Sequence, residues 1–175
     1  MKMWLLYAAL ILVGLLLLAA GTLGVLGRFL PKEHTSSGSV DLTATQEQVY
    51  ALINDIGAFP DWCKDFTRME RLPDHVGPDN EKKEQWRQYM GRNSFTSVNE
   101  LMEPPRRVVR RVDDDNRLFG GTWDHVIEPT GPSTCRLTIT EKGHVNSDIP
   151  RAMMHYIIGE DYTIKKFLKA VKAKT

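Results

Sequence analysis

"GGTWDHVIEPTGPSTCRLTITEKGHV", running from Gly120 to Val145, carries two alternating runs around a turn. In the first, Trp123, His125 and Ile127 interleave with Thr122, Asp124, Val126 and Glu128; in the second, Cys135, Leu137 and Ile139 interleave with Arg136, Thr138 and Thr140. A side-chain period of two is that of a strand with one dry face, and "PTGPS" supplies turn formers, so the stretch predicts an antiparallel hairpin. Asp124 and His125 are neighbours in sequence, yet a strand sends them to opposite faces and they form no acid–imidazole dyad with each other. Trp123 and Ile127 mark the inner face, which turns His125 inward. Glu141 falls on the apolar side of the second run.

The same punctuation extends upstream. Strands are predicted at Phe66–Leu72, Lys83–Met90, Ser94–Met102, Arg107–Val112, Thr122–Glu128 and Thr134–Val145, separated by "PDHVGPDN", "GRN", "EPP", "DDDNRLFGG" and "PTGPS". Such short connections make neighbours antiparallel. Before them lies a strand through Val40 and Leu42, then a helix capped by Thr43 or Thr45, with Gln48 at capping-box spacing from Thr45. Val49, Leu52, Ile53 and Ile56 repeat at helical spacing, and Gly57 and Pro60 in "GAFPDWCKDF" end that helix, leaving room for a second short turn. A long terminal helix is expected from about Ile149 to Ala173, with Met154, Ile157, Ile158, Ile164, Leu168 and Val171 as its apolar stripe. Strand, helix, six strands and a closing helix describe an α+β domain with a curved antiparallel sheet around the last helix.

From Met3 to Leu26 the chain has no charged residue. About 20 apolar residues cross a bilayer core of roughly 30 Å, whereas the apolar part of a cleavable signal peptide is usually about 7–15 residues. The run is therefore read as a single-pass anchor, although Ala19–Gly21 has the small residues of a cleavage site. Lys2 on one flank nearly balances Arg28 and Lys32 on the other, so the positive-inside rule assigns no orientation. The expected division is an anchor over 1–27, a polar linker over 28–39 and a domain over 40–175. Fully stretched, that linker reaches no further than about 45 Å, which keeps the domain near the membrane.

Composition excludes several classes. With 23 basic and 22 acidic residues the net charge is +1, and no global field steers the protein to nucleic acid. Five histidines (His34, His75, His125, His144 and His155) fall in no metal-ligand spacing, and neither metal nor cofactor is expected. Cys63 and Cys135 read as buried small hydrophobes; whether they pair is left open. "RRVVRR" before "DDD" reads as a solvated strand and turn, and Lys165, Lys169 and Lys172 as cations that suit a helix C-terminus or, alternatively, lipid headgroups.

"LPKEHTSSGSVDLTATQEQVYALINDIGAFPDWCKDF" resembles the opening of SRPBCC, or START-like, proteins. Ala44, Glu47 and Val49 match their "APPEKVW"-like helix start, with Thr45 and Gln46 in place of the prolines. Asp55, Phe59, Pro60 and Trp62 match their "D-F-x-x-W-P-x-W" segment, with phenylalanine at its first tryptophan. "GGTW", "CRLTITE" and the closing "YIIGEDYTIKKFLKAVKAK" are similar to the late hairpin and last helix of the same family, so the resemblance covers about residues 31–175. An apolar N-terminal helix joined through "LPKEH" also resembles a bacterial subgroup labelled polyketide cyclase or dehydrase related. The resemblance implies a helix-grip fold, a seven-stranded antiparallel sheet gripping the last helix over an apolar cavity. It also implies binding of lipids, sterols, polyketides or other hydrophobic molecules, with no single catalytic signature.

Within that frame Trp62, Trp86, Met90, Phe95, Trp123, Met154, Ile157, Ile158 and Leu168 are candidates for the cavity wall. His125 and Glu141 are the candidate acid–base groups, and Asp161, in a gap of the terminal stripe, is read as its solvated edge. Three functions follow. The leading one is a membrane-anchored binder of a hydrophobic small molecule or lipid. The second is a cyclase or dehydratase acting on a hydrophobic carbonyl compound, which needs His125 and Glu141 in one pocket. The third is a membrane-proximal interaction scaffold with a filled interior.

Overall fold

The structure, a computed structural model, describes residues 2–113 and 118–175, with only the backbone of Lys2; Asp114 and Asp115 of the acidic turn lie outside the described residues. Helix α1 (Lys2–Phe29) is followed by β1 (Glu33–Leu42), α2 (Gln46–Asn54), a single 3-10 turn and the short α3 (Phe59–Trp62). Strands β2 (Arg68–Val76), β3 (Lys82–Met90), β4 (Asn93–Glu103), β5 (Arg107–Asp113), β6 (Phe119–Gly131) and β7 (Thr134–Val145) come next. The chain closes with α4 (Asp148–Met153), a π-helical turn (Met154–Ile158) and α5 (Tyr162–Lys174). All seven strands form one antiparallel sheet in the order β1-β7-β6-β5-β4-β3-β2.

Hairpin β6–β7 pairs as its alternation requires, with Trp123 opposite Glu141 and His125 opposite Ile139. Asp124, on the outer face, takes two hydrogen bonds from Arg107 at 2.9 and 2.7 Å. Thr45 caps α2 and completes a capping box with Gln48. Register shifts in the β2–β3, β4–β5 and β6–β7 pairs mark bulges, which bend a sheet. The hollow so formed receives α5, whose Ile164, Leu168 and Val171 bury against Leu137, Ile139 and the α2 residues Val49 and Ile53. Each such side chain contributes about 1.5–3 kcal/mol.

Two elements depart from the expected outline. The first strand begins at Glu33, so most of the stretch 28–39 expected as a linker is sheet. Its alternation is masked because His34, Ser36 and Gly38 occupy inward positions. Gly38 lets α5 pack closely there, since a Cβ would stand 3.0 Å from Ile164 and 3.2 Å from Leu168 of α5. The terminal helix is not continuous either. Gly159, at φ +95°, ends the π-helical turn, and α5 starts afresh at Tyr162.

Candidate ligand cavity

Between the concave face of the sheet and the start of α5 lies a cavity of about 460 Å³, within the range of about 300–1,000 Å³ usual for small-molecule sites. Five aromatic side chains stand in its walls: Phe59 and Phe66 from the α3 region, Phe95 from β4, Trp123 from β6 and Phe167 from α5. Phe167 is the hub, with ring centroids 5.7 Å from Phe59 and 6.3 Å from Trp123. Asn93, Phe119, Tyr162 and Thr163 line the cavity and are exposed, which places its mouth at the end of the sheet where β4 and β6 begin.

Polar groups converge on the floor from four strands. Gln88 donates to Ser97 at 2.5 Å, both buried. Arg110 is buried and donates to Asn99 at 2.9 Å, to the Ile53 carbonyl at 2.6 Å and to Asn54 at 2.9 Å; burial brings its guanidinium down to about 10. Beside it His125 is 2% exposed, its Nδ1 3.3 Å from the Val108 carbonyl. A carbonyl only accepts, so that nitrogen carries the hydrogen. Burial, reinforced by the Arg110 charge, lowers the His125 pKa to about 3. The imidazole is neutral throughout the physiological range.

Glu141 of β7 also lines the cavity, 3.8 Å from His34. Burial raises its pKa, opposed by the neighbouring His34 and Trp123. Its Oε2 and the His34 Nε2 are both buried without a hydrogen-bond partner. Lys166 pairs with Asp65 at the side of the cavity. Among the described residues no cluster of three or more His, Cys, Asp or Glu is arranged to hold a metal ion.

This geometry, a seven-stranded antiparallel sheet closed by a C-terminal helix over a lined cavity, is accompanied by a sequence match. The family model described as polyketide cyclase / dehydrase and lipid transport matches residues 33–174. The chain belongs to that family. Its fold is the START-like helix-grip, as comparison with solved structures shows. A START superfamily protein from Mycobacterium smegmatis is 20% identical, with a TM-score of 0.66 over 81% of this chain and 96% of that one. The Zhui aromatase/cyclase from a Streptomyces species is 16% identical, with a TM-score of 0.66 over 81% of this chain and 93% of that one. Norcoclaurine synthase from Thalictrum flavum is 11% identical, with a TM-score of 0.60 over 81% of this chain and 92% of that one. At these identities the likeness is one of fold. No curated protein matches the sequence.

Of the residues singled out from the sequence, Met90, Phe95, Trp123, Met154, His125 and Glu141 line the cavity. The others do not. Trp62 packs on Phe59 and Phe167 at the edge of the core, Trp86 covers Gly57 and donates to Glu84, and Leu168 is buried against β1. Ile157 and Ile158 are exposed, because the break at Gly159 separates their stretch from the face that α5 buries. Asp161 lies outside the cavity wall and pairs with Lys165 at 2.6 Å. Cys63 and Cys135 are buried and unpaired. The reading of "RRVVRR" as a solvated strand fails at Arg110, which shares the inward face of β5 with Val108 and Val112. Gln88, Ser97 and His34 carried no signal in the sequence, being polar residues at inward strand positions.

Proposed function

We propose that this domain takes up a hydrophobic small molecule or lipid in the cavity beneath α5, and that α1 holds it at a membrane as a single-pass anchor. The cavity, with aromatic side chains in its walls and two buried, unpartnered polar atoms on residues that line it, Glu141 Oε2 and His34 Nε2, carries the reading. An apolar body fits the walls. A hydroxyl or amide group on the ligand would satisfy atoms whose isolation costs about 1–3 kcal/mol each. The family's description and an exposed apolar helix of 27 residues support the same reading. The scaffold alternative called for a filled interior.

The test is to extract the full-length protein from membranes into native nanodiscs and identify bound molecules by native mass spectrometry. One hydrophobic molecule per chain is expected, and Val112→Trp, which fills the cavity from β5, should lose it. An empty wild-type protein would sink the proposal. A second reading, a dehydratase or cyclase, is favoured by His125 and Glu141 lining one cavity. It predicts that Glu141→Gln retains an unreacted species, heavier by one water for a dehydration, whereas a carrier holds the same molecule in both proteins.

A further inference from the structure

The anchor helix is joined rigidly to the domain. Arg151 of α4 is buried, and its Nε and Nη2 donate to the Gly27 carbonyl, in the last turns of α1, at 2.9 and 2.7 Å. Its Nη1 donates to the Val145 carbonyl at the end of β7 at 2.7 Å, and Asp148 completes the set at 2.5 Å. Gly27 is buried against α4, where a Cβ would overlap the Asp148 backbone. One guanidinium therefore ties α1, the sheet and α4 together.

That junction and the cavity mouth share one end of the sheet. The Val145 amide bonds to Lys32, just before β1, and the Asn146 amide bonds to Leu118, just before β6. Phe119 of the mouth thus lies beside the emerging anchor. The same end is unusually apolar on its outside. Tyr156, Ile157 and Ile158 of the π-helical turn are 56, 65 and 42% exposed, and Ile149, Leu118 and Phe119 are also exposed. Single exposed apolar residues need no explanation, but a run of them at one end does. Arg28 and Arg92 are exposed nearby. Lys172, by contrast, lies close to Asp41 at the other end of β1, so the lysine-rich end of α5 faces away.

We infer that the clamp between Arg151 and Gly27 sets the domain mouth-down on the bilayer that α1 enters, with Tyr156, Ile157 and Ile158 immersed in the lipid interface so that the cavity opens into the membrane. The occupant of this surface is lipid because the surface is continuous with the apolar helix. The inference rests on the reading of α1 as an anchor and is independent of whether the cavity is occupied. The clamp makes α1 a positioning element, and the π-helical turn is the lip over which a ligand passes.

The test places a nitroxide at Ile157→Cys or, as a control at the far end, Ser133→Cys, in full-length protein with Cys63 and Cys135 replaced by alanine. The protein is reconstituted in vesicles of phosphatidylcholine with a minority of phosphatidylglycerol. Position 157 should be relaxed by oxygen and protected from a water-soluble nickel chelate, at about 5–10 Å below the headgroups, the usual depth of an interfacial apolar face. Position 133 should behave as aqueous. Adding Gly27→Ala, which leaves the domain's own core intact, should make position 157 aqueous while α1 stays in the membrane. Nickel access at position 157 without Gly27→Ala overturns the inference, as does protection from both oxygen and nickel with label–label broadening, which would identify a second copy as the cover. Indifference to Gly27→Ala overturns the role of the clamp. A wet position 157 with a bound molecule in the nanodisc experiment refutes this inference alone; a dry position 157 with an empty cavity refutes the binding proposal alone.

Discussion

His125 provides a pH dependence that can be worked through. Its folded pKa is about 3 against an ordinary 6.5, because burial and the Arg110 charge oppose the imidazolium. The unfolded chain therefore binds the proton first as acid is added. The contribution is complete above about pH 6.5, declines as the pH falls and is gone below about 3. At about 1.36 kcal/mol per unit, the span of some 3.5 units amounts to about 5 kcal/mol, of which about 2 kcal/mol is lost between pH 7 and pH 5. Urea unfolding of the full-length protein in mild detergent, followed by tryptophan fluorescence, measures it. His125→Asn keeps an amide for the Val108 carbonyl and removes the titration. The variant should be less stable at neutral pH, yet its stability should fall by about 2 kcal/mol less than wild type between pH 7 and pH 5. Parallel curves for the two proteins would refute the claim that folding holds this imidazole neutral.

Glu141 should show the opposite sign. Burial raises its pKa, so the folded protein keeps a proton that the unfolded chain releases, and stability falls as the pH rises from the ordinary carboxylate range through the raised value. Glu141→Gln should remove that decline and be the more stable protein at neutral pH in the same unfolding assay. Phe167 stands among Phe59, Trp62, Trp123 and His125, and Phe167→Ala should cost about 3–5 kcal/mol by calorimetry or urea unfolding while enlarging the cavity.

Much of the architecture was legible because the strands alternate where they are buried on one side. Trp123, His125 and Ile127 opposite Ile139 and Leu137 could be read from their period alone, and so could the cap at Thr45. The cavity was less legible for a reason of the same kind. A wall that carries polar groups is built from residues that look solvent-facing. His34, Gln88, Ser97 and Arg110 occupy inward positions, and each breaks the alternation that marks an inward face. At β5 the signal survived as Val108 and Val112 on either side of Arg110, two apolar residues at strand spacing around one cation, but four arginines in six positions obscured it.

The terminal stripe teaches the complementary lesson. Met154, Ile157 and Ile158 recur at helical spacing with Ile164, Leu168 and Val171, and the natural inference is one helix with one buried face. Periodicity, however, reports only that an apolar surface will be covered, not by what. The three C-terminal members meet the sheet, whereas Ile157 and Ile158 lie before a glycine with φ +95° and point away from it. Gly159 is the residue that separates the two sets, since a left-handed backbone ends a helix at little cost only where no Cβ is present. If the exposed set faces lipid, then the stripe is continuous in purpose after all, each part dry against a different solvent-excluding partner. That makes Gly159 a sharper probe of the fold than any apolar residue. Gly159→Ala would favour a straight helix through the break and draw Ile157 and Ile158 away from the mouth, an outcome visible as loss of immersion at position 157 in the same vesicles.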